Sequence, residues 1–170
     1  MSVVALIRAM DSLKKREGDL APTLKTIFFN SLKNKYKKLT IKEVLSSHKG
    51  GSWGNDYFKE SIKARVLRSP DIRFGFIDIQ NAEERYFTKK DFDKFSLINN
   101  DILVIKSNGS LDLVGKSQIY KEDLNYPFVI ASNFLMVLTP NQNLIYPEYL
   151  DLFLKSPESL VWRFDTQKTT

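Results

Sequence analysis

The chain holds 170 residues, about one domain's worth, with 42% apolar and 12% aromatic side chains, enough for one hydrophobic core. There is no cysteine and one histidine, which excludes a disulfide framework and a thiolate zinc site, and His48 by itself cannot hold a transition metal. The longest N-terminal apolar run, Val3 to Ile7, stops at Arg8, far short of the roughly 20 residues that cross a bilayer. Neither a transmembrane helix nor a signal peptide is expected, and a cytoplasmic protein with no membrane partner is the default.

The net charge of +6 is unevenly placed. Residues 1–49 carry eleven Lys/Arg against four Asp/Glu, whereas the remainder carries fifteen against sixteen. Any field that attracts polyanions is therefore strongest near the N-terminal segment. Lys33, Lys35, Lys37 and Lys38 read as a solvated helix end, with phosphate contact as the sharper alternative.

Residues 1–35 place Leu6, Met10, Leu13, Leu20, Leu24 and Ile27 at helical spacing, a heptad seam that a partner helix would cover. Val4, Ile7, Phe28 and Leu32 widen the stripe. Gly18 and Pro22 are the weak points of this long helix, costing about 1 and about 3 kcal/mol in a helix interior. It either kinks there or restarts with Asp19 as a cap.

From residue 36 the pattern changes to short apolar runs separated by Gly, Asn, Asp and Pro, which reads as strands and turns over 36–170. Strands are expected near 66–67, 74–79, 102–106, 111–114, 117–120 and 128–138. Thr88 with Asp91 predicts an N-capped helix through Phe95, and Pro147 and Pro157 each suit a first helical turn. The fold expected is α+β: a long N-terminal helix followed by a mixed α/β domain with a twisted, mostly antiparallel sheet.

Catalytic patterns fail one by one. Gly109 to Ser117 is a near miss to a phosphate-binding loop, with five residues where four are needed and a strand-like continuation after Ser117. Pro70-Asp71 supplies half of a nuclease metal site, but no Asp or Glu is followed two positions later by lysine, so a turn is the plainer reading. The sequence lacks the Asn/Asp-Pro-Pro-aromatic segment of a DNA methyltransferase, and His48 reads as a surface loop residue.

Four motifs in order carry a resemblance: His48-Lys-Gly-Gly-Ser-Trp-Gly54 with the basic segment Ala64 to Ile72; Leu97-Ile-Asn-Asn-Asp-Ile-Leu-Val104; Val114-Gly-Lys116; and Ala131-Ser-Asn-Phe-Leu135 followed by Tyr149-Leu150. The stretch Gly50 to Ser156 thereby resembles the target-recognition domain of the specificity subunit of type I restriction-modification systems, and residues 13–32 look like the end of that family's spacer helix. Asn100 stands where the family usually has glycine, a position asparagine tolerates when the backbone is left-handed. A complete subunit has two recognition domains and two spacers, so a half-subunit or a fragment is expected here.

The resemblance implies no catalytic residue, no cofactor and no metal. It implies recognition of one half of a bipartite double-stranded DNA target, with a methyltransferase subunit and a restriction subunit as partners. Two chains pairing through their helices would imitate a complete subunit. Loops rich in hydrogen-bonding side chains are the candidate base readers: Lys106, Ser107, Asn108 and Ser110, with Ser52 and Trp53 in the opening turn. Lys49, Lys63, Arg65, Arg68, Arg73 and Lys116 are the candidate phosphate contacts. Ordinary turn formation, solvated charge and a buried tryptophan anchor are the competing roles. A protein-interaction adaptor with a docking helix and no DNA specificity is the alternative from another class.

Overall fold

The computed structural model describes residues 39–73, 75–107, 109, 113–156 and 159. The expected helix over 1–35, with its seam from Leu6 to Ile27, lies outside them, as do Asn108, Ser110 and the expected helix at Pro157. The chain divides into two compact units, one of residues 41–154 and one of residues 1–40 and 155–170. In the latter, the Ser159 hydroxyl donates to the Ser156 carbonyl at 2.9 Å.

The described residues of the 41–154 unit form seven strands: β1 Leu45–Gly50, β2 Ile62–Leu67, β3 Glu83–Phe87, β4 Ile102–Ile105, β5 Ser117–Ile119, β6 Val129–Ala131 and β7 Leu135–Pro140. Helix α1 spans Lys89–Phe95 and α2 spans Pro147–Leu154. In place of the single sheet expected, the strands form two. The first is antiparallel throughout, in the order β1-β7-β4-β5, and the second, β3-β2-β6, pairs β2 with β3 antiparallel and with β6 parallel.

The period-2 alternation of strand side chains builds the layers. Leu103 and Ile105 of β4, Leu135 and Val137 of β7, Leu67 of β2 and Val129 and Ala131 of β6 share one buried cluster, which joins the two sheets. The alternate residues face outward onto helices. Ile102 and Leu138 pack with Leu150 and Leu154 of α2, and Ala64, Val66 and Ile130 pack with Phe92 and Phe95 of α1. Full burial of side chains of this size contributes about 1.5–3 kcal/mol each. Helix α2 is also tied to β5 by the Ser117 hydroxyl, which donates to Asp151 at 2.7 Å.

The helix starts expected at Thr88 and Pro147 are both found. The Thr88 hydroxyl oxygen accepts the Asp91 amide N–H at 3.1 Å, satisfying one of the unpaired donors of α1, and Pro147 opens α2 where its missing N–H is harmless. Asn100 has φ of 72°, the left-handed conformation expected for it.

Three strand expectations are corrected. The 128–138 run is two strands, β6 and β7, because Ser132-Asn133-Phe134 turn the chain out of one sheet and into the other. The 74–79 run is not a strand over its described residues. Gly75, at φ 88°, lets the chain double back so that Ile72 bridges Ile77. Leu113 and Val114 lie in a turn rather than a strand, ahead of Gly115 at φ 84°. Strands β1 and β3 fall where the sequence pattern predicts none. His48, exposed as expected, sits in β1 opposite Leu138 rather than in a loop.

Candidate nucleic-acid interface

Six strand termini meet at one end of the two sheets. In the first sheet, Gly50 at the end of β1 opposes Met136, Ile105 at the end of β4 opposes Leu135, and Val104 opposes Ser117 at the start of β5. In the second, Leu67 and Ala131 end β2 and β6 side by side. Backbone hydrogen bonds weld the two edges. The Ser52 N–H donates to the Ala131 carbonyl at 2.9 Å, the Ser132 N–H to Leu67 at 2.8 Å, and the Lys106 N–H to Phe134 at 3.0 Å.

The opening turn Gly50 to Gly54 owes its glycines to this close approach. A Cβ on Gly51 would fall 1.9 Å from the Ala131 carbonyl oxygen, and Gly54, at φ 74°, would press a Cβ to 2.6 Å from the Phe87 ring. The Ser52 hydroxyl oxygen accepts the Gly54 N–H at 3.3 Å, so this serine shapes the turn. Trp53 is half-buried against the Ala64–Phe87 cluster, with the Arg85 and Arg68 guanidinium carbons 5.4 and 5.9 Å from its ring centre. That is a packing anchor with cation–π contacts.

The candidate phosphate contacts separate into two groups. On β2 and the turn after it, Lys63 pairs with Glu84 at 3.1 Å, Arg65 with Glu84 at 3.2 Å, and Arg68 with Asp71 and Glu83 at 3.6 and 3.5 Å. Arg65 also donates to the carbonyls of Ala82 and Gln80 at 2.7 and 3.2 Å. Partly exposed pairs of this kind contribute less than about 1 kcal/mol each, but they neutralise the charge that a phosphate would need. Pro70-Asp71 is the turn expected, its carboxylate accepting the Arg68 N–H at 2.7 Å.

Lys49 is committed to the interior. Its ammonium donates to the Ser96 carbonyl at 2.6 Å, and burial lowers its pKa, opposed by the nearby Asp101 charge. Asp101 is fully buried, and desolvation raises its pKa against the hydrogen bonds from Ile98 N–H and the Thr139 hydroxyl and the charge of Lys49. This pair stitches β4 to β1 and β7.

Lys106, Lys116 and Arg73 form the second group: each is exposed, and none makes an ion pair among the described residues. Lys106 and Lys116 flank the neck of the β4–β5 loop, where the Ile105 N–H donates to the Lys116 carbonyl at 3.0 Å and the Gly115 N–H to Ile105 at 2.6 Å. Ser107 is exposed beside Lys106, its carbonyl 3.5 Å from the Ser69 hydroxyl that leads into Arg73's turn. The structure thus brings Lys106, Ser107, Lys116 and Ser52 to one end and leaves Lys63, Arg65, Arg68 and Lys49 engaged elsewhere.

The opposite ends of β4, β5 and β7 carry Asp101, Glu122, Asp123 and, in the first turn of α2, Glu148, which pairs with Lys121. The lysine-bearing end also holds Asp71 and Glu83, both engaged by Arg68, which leaves Lys106 and Lys116 as open cations there among the described residues. The β6–β7 turn joins that end and leaves Asn133 and Phe134 both exposed. The sequence marks it only as the motif Ala131 to Leu135, not as a candidate contact.

Among the described residues no group of three or more His, Asp or Glu side chains is placed to hold a metal ion, and no helix is long and apolar enough to cross a membrane. At the lysine-bearing end Lys106 and Lys116 stand exposed beside the β6–β7 turn, without an ion pair among the described residues. No family model matches the chain. It is similar to the type I restriction enzyme EcoKI specificity subunit of Escherichia coli (strain K12), 22% identical over 135 residues, which cover 79% of this chain and 28% of that protein. The chain thus spans well under a third of the length of the relative it matches.

Proposed function

We propose that this chain reads one half of a bipartite double-stranded DNA target and, without catalysis of its own, directs methyltransferase and restriction subunits to it in the cytoplasm. In this reading residues 36–170 contact the duplex, and the seam in residues 1–35 packs on a partner helix or on a second copy of the chain. The observation that carries the proposal is the pair Lys106 and Lys116, without an ion pair among the described residues, at the end where both sheets terminate, in a chain similar to a specificity subunit. Lysines of this kind set register on phosphates, and neighbouring loop side chains read bases.

A randomised-duplex selection with the 170-residue chain tests it. A preferred sequence is expected, with log affinity falling against log salt by about 0.9 per neutralised phosphate. Salt-independent binding, or no preferred sequence, overturns the reading.

A further inference from the structure

The turn between β6 and β7 is rigid and presents unspent side chains. Ser132 is fully buried, and its N–H and carbonyl are bonded to Leu67 and Leu135 at 2.8 and 3.0 Å, which closes a four-residue turn with Asn133 and Phe134 at its centre. The Phe134 carbonyl accepts the Lys106 N–H at 3.0 Å, fixing the turn beside the lysine neck.

Phe134 is 47% exposed and belongs to none of the three apolar clusters. Two other exposed aromatics have ring partners, Phe128 meeting Phe92 edge-on at 5.1 Å and Tyr57 meeting Tyr86 at 5.3 Å, whereas Phe76 and Tyr146 are exposed away from this turn. A tight turn is normally closed by Gly, Asn or Asp, so the ring is not there for the backbone. The Asn133 carboxamide makes no hydrogen bond among the described residues, whereas Asn81, Asn99, Asn100, Asn125 and Asn141 spend theirs on local partners. Asn55 and Asn143 are also open, but Asn55 bridges Tyr86 near the start of β2 and Asn143 follows β7 at the opposite end.

We propose that Asn133 and Phe134 read an A·T base pair in the major groove, the carboxamide pairing with adenine N6 and N7 and the ring packing on the thymine methyl. Both groups lie on the same groove edge of one A·T pair, and asparagine and an apolar side chain are the types that match them. Lys106, bonded to the same turn, supplies the phosphate contact that holds it in register. This inference rests on the DNA-recognition reading above.

The test uses the duplex selected by the wild-type chain, with each thymine replaced in turn by deoxyuridine and each adenine by 7-deazaadenine, read by fluorescence anisotropy. At one A·T pair, each replacement is expected to weaken wild-type binding about tenfold. Phe134→Ala should abolish the deoxyuridine effect and Asn133→Ala the 7-deazaadenine effect. A selected site at which neither replacement matters overturns the inference and leaves DNA recognition standing, and this outcome is read on the wild-type chain alone. Failure of the wild type to select any sequence overturns DNA recognition itself.

Discussion

The Lys49 ammonium donates to the Ser96 carbonyl at 2.6 Å, tying an edge strand of the first sheet to the C-terminal cap of α1 beside the second. A lysine held this way supports the fold more than it meets a ligand. Lys49→Met is expected to cost about 1–3 kcal/mol in urea denaturation, because a buried carbonyl loses its donor and Asp101 loses a nearby cation, while the salt slope of duplex binding stays unchanged. A reduced slope would return Lys49 to the phosphate contacts.

Lys106→Ala, Lys116→Ala and Arg73→Ala should each lower the salt slope by about 0.9 and weaken all sequences alike. Lys63→Ala and Arg65→Ala should leave it unaltered, since both side chains are engaged by Glu84 and Arg65 also by the Ala82 and Gln80 carbonyls. Competition binding on the selected and a scrambled duplex across a salt series distinguishes the two groups.

Asp101 gives a pH signature of definite sign. Burial raises its pKa above the ordinary 3.8, so between these values the native chain holds a proton that the unfolded chain has released. Its contribution to stability is therefore full below about pH 4 and is lost as pH rises through the raised value. The difference in urea midpoint between wild type and Asp101→Asn, followed from about pH 4 upward, should shift against the wild type over that window. A difference that does not vary with pH would contradict this.

Tyr120 behaves similarly at the alkaline end. Burial first, then the charges of Glu122, Asp123 and Asp101, push its pKa up to about 12. The unfolded chain ionises first, so stability falls as pH rises between about 10 and that value. Absorbance titration of the phenolates should show a late group that is lost in Tyr120→Phe, while Tyr149, also raised by burial, remains.

Gly51→Ala drives a Cβ into the Ala131 carbonyl and is expected to destabilise by about 3 kcal/mol or more, whereas Gly109→Ala, with nothing within 4 Å, should leave the thermal midpoint nearly unmoved. Equal effects at the two positions would deny that the opening turn is pressed against β6.

What is legible in the sequence is whatever local chemistry decides. Thr88, Pro147 and Asn100 announce a cap, a helix start and a left-handed turn because each acts through its own backbone. Strands β1 and β3 are not legible: Leu45-Ser-Ser-His-Lys-Gly50 and Glu83-Glu-Arg-Tyr-Phe87 lack an apolar alternation and are held by pairing with Leu135–Pro140 and Ile62–Leu67. The same long-range pairing decides the candidate site. Lys63 and Arg65 look like Lys106 and Lys116 in sequence, and the register of β2 against β3 is what sets Glu84 beside them, while Arg68 has Asp71 three residues on as well as Glu83 across the strands.

Lysine reactivity tests the central claim most directly. Reductive methylation of the chain, free and bound to its selected duplex, followed by mass spectrometry, should show Lys106 and Lys116 protected by DNA. Lys63, beside Glu84, and Lys121, at the acidic end, should stay as reactive as in the free chain. Protection of Lys121 with Lys106 and Lys116 left open would place the duplex at the wrong end of the strands and contradict the account.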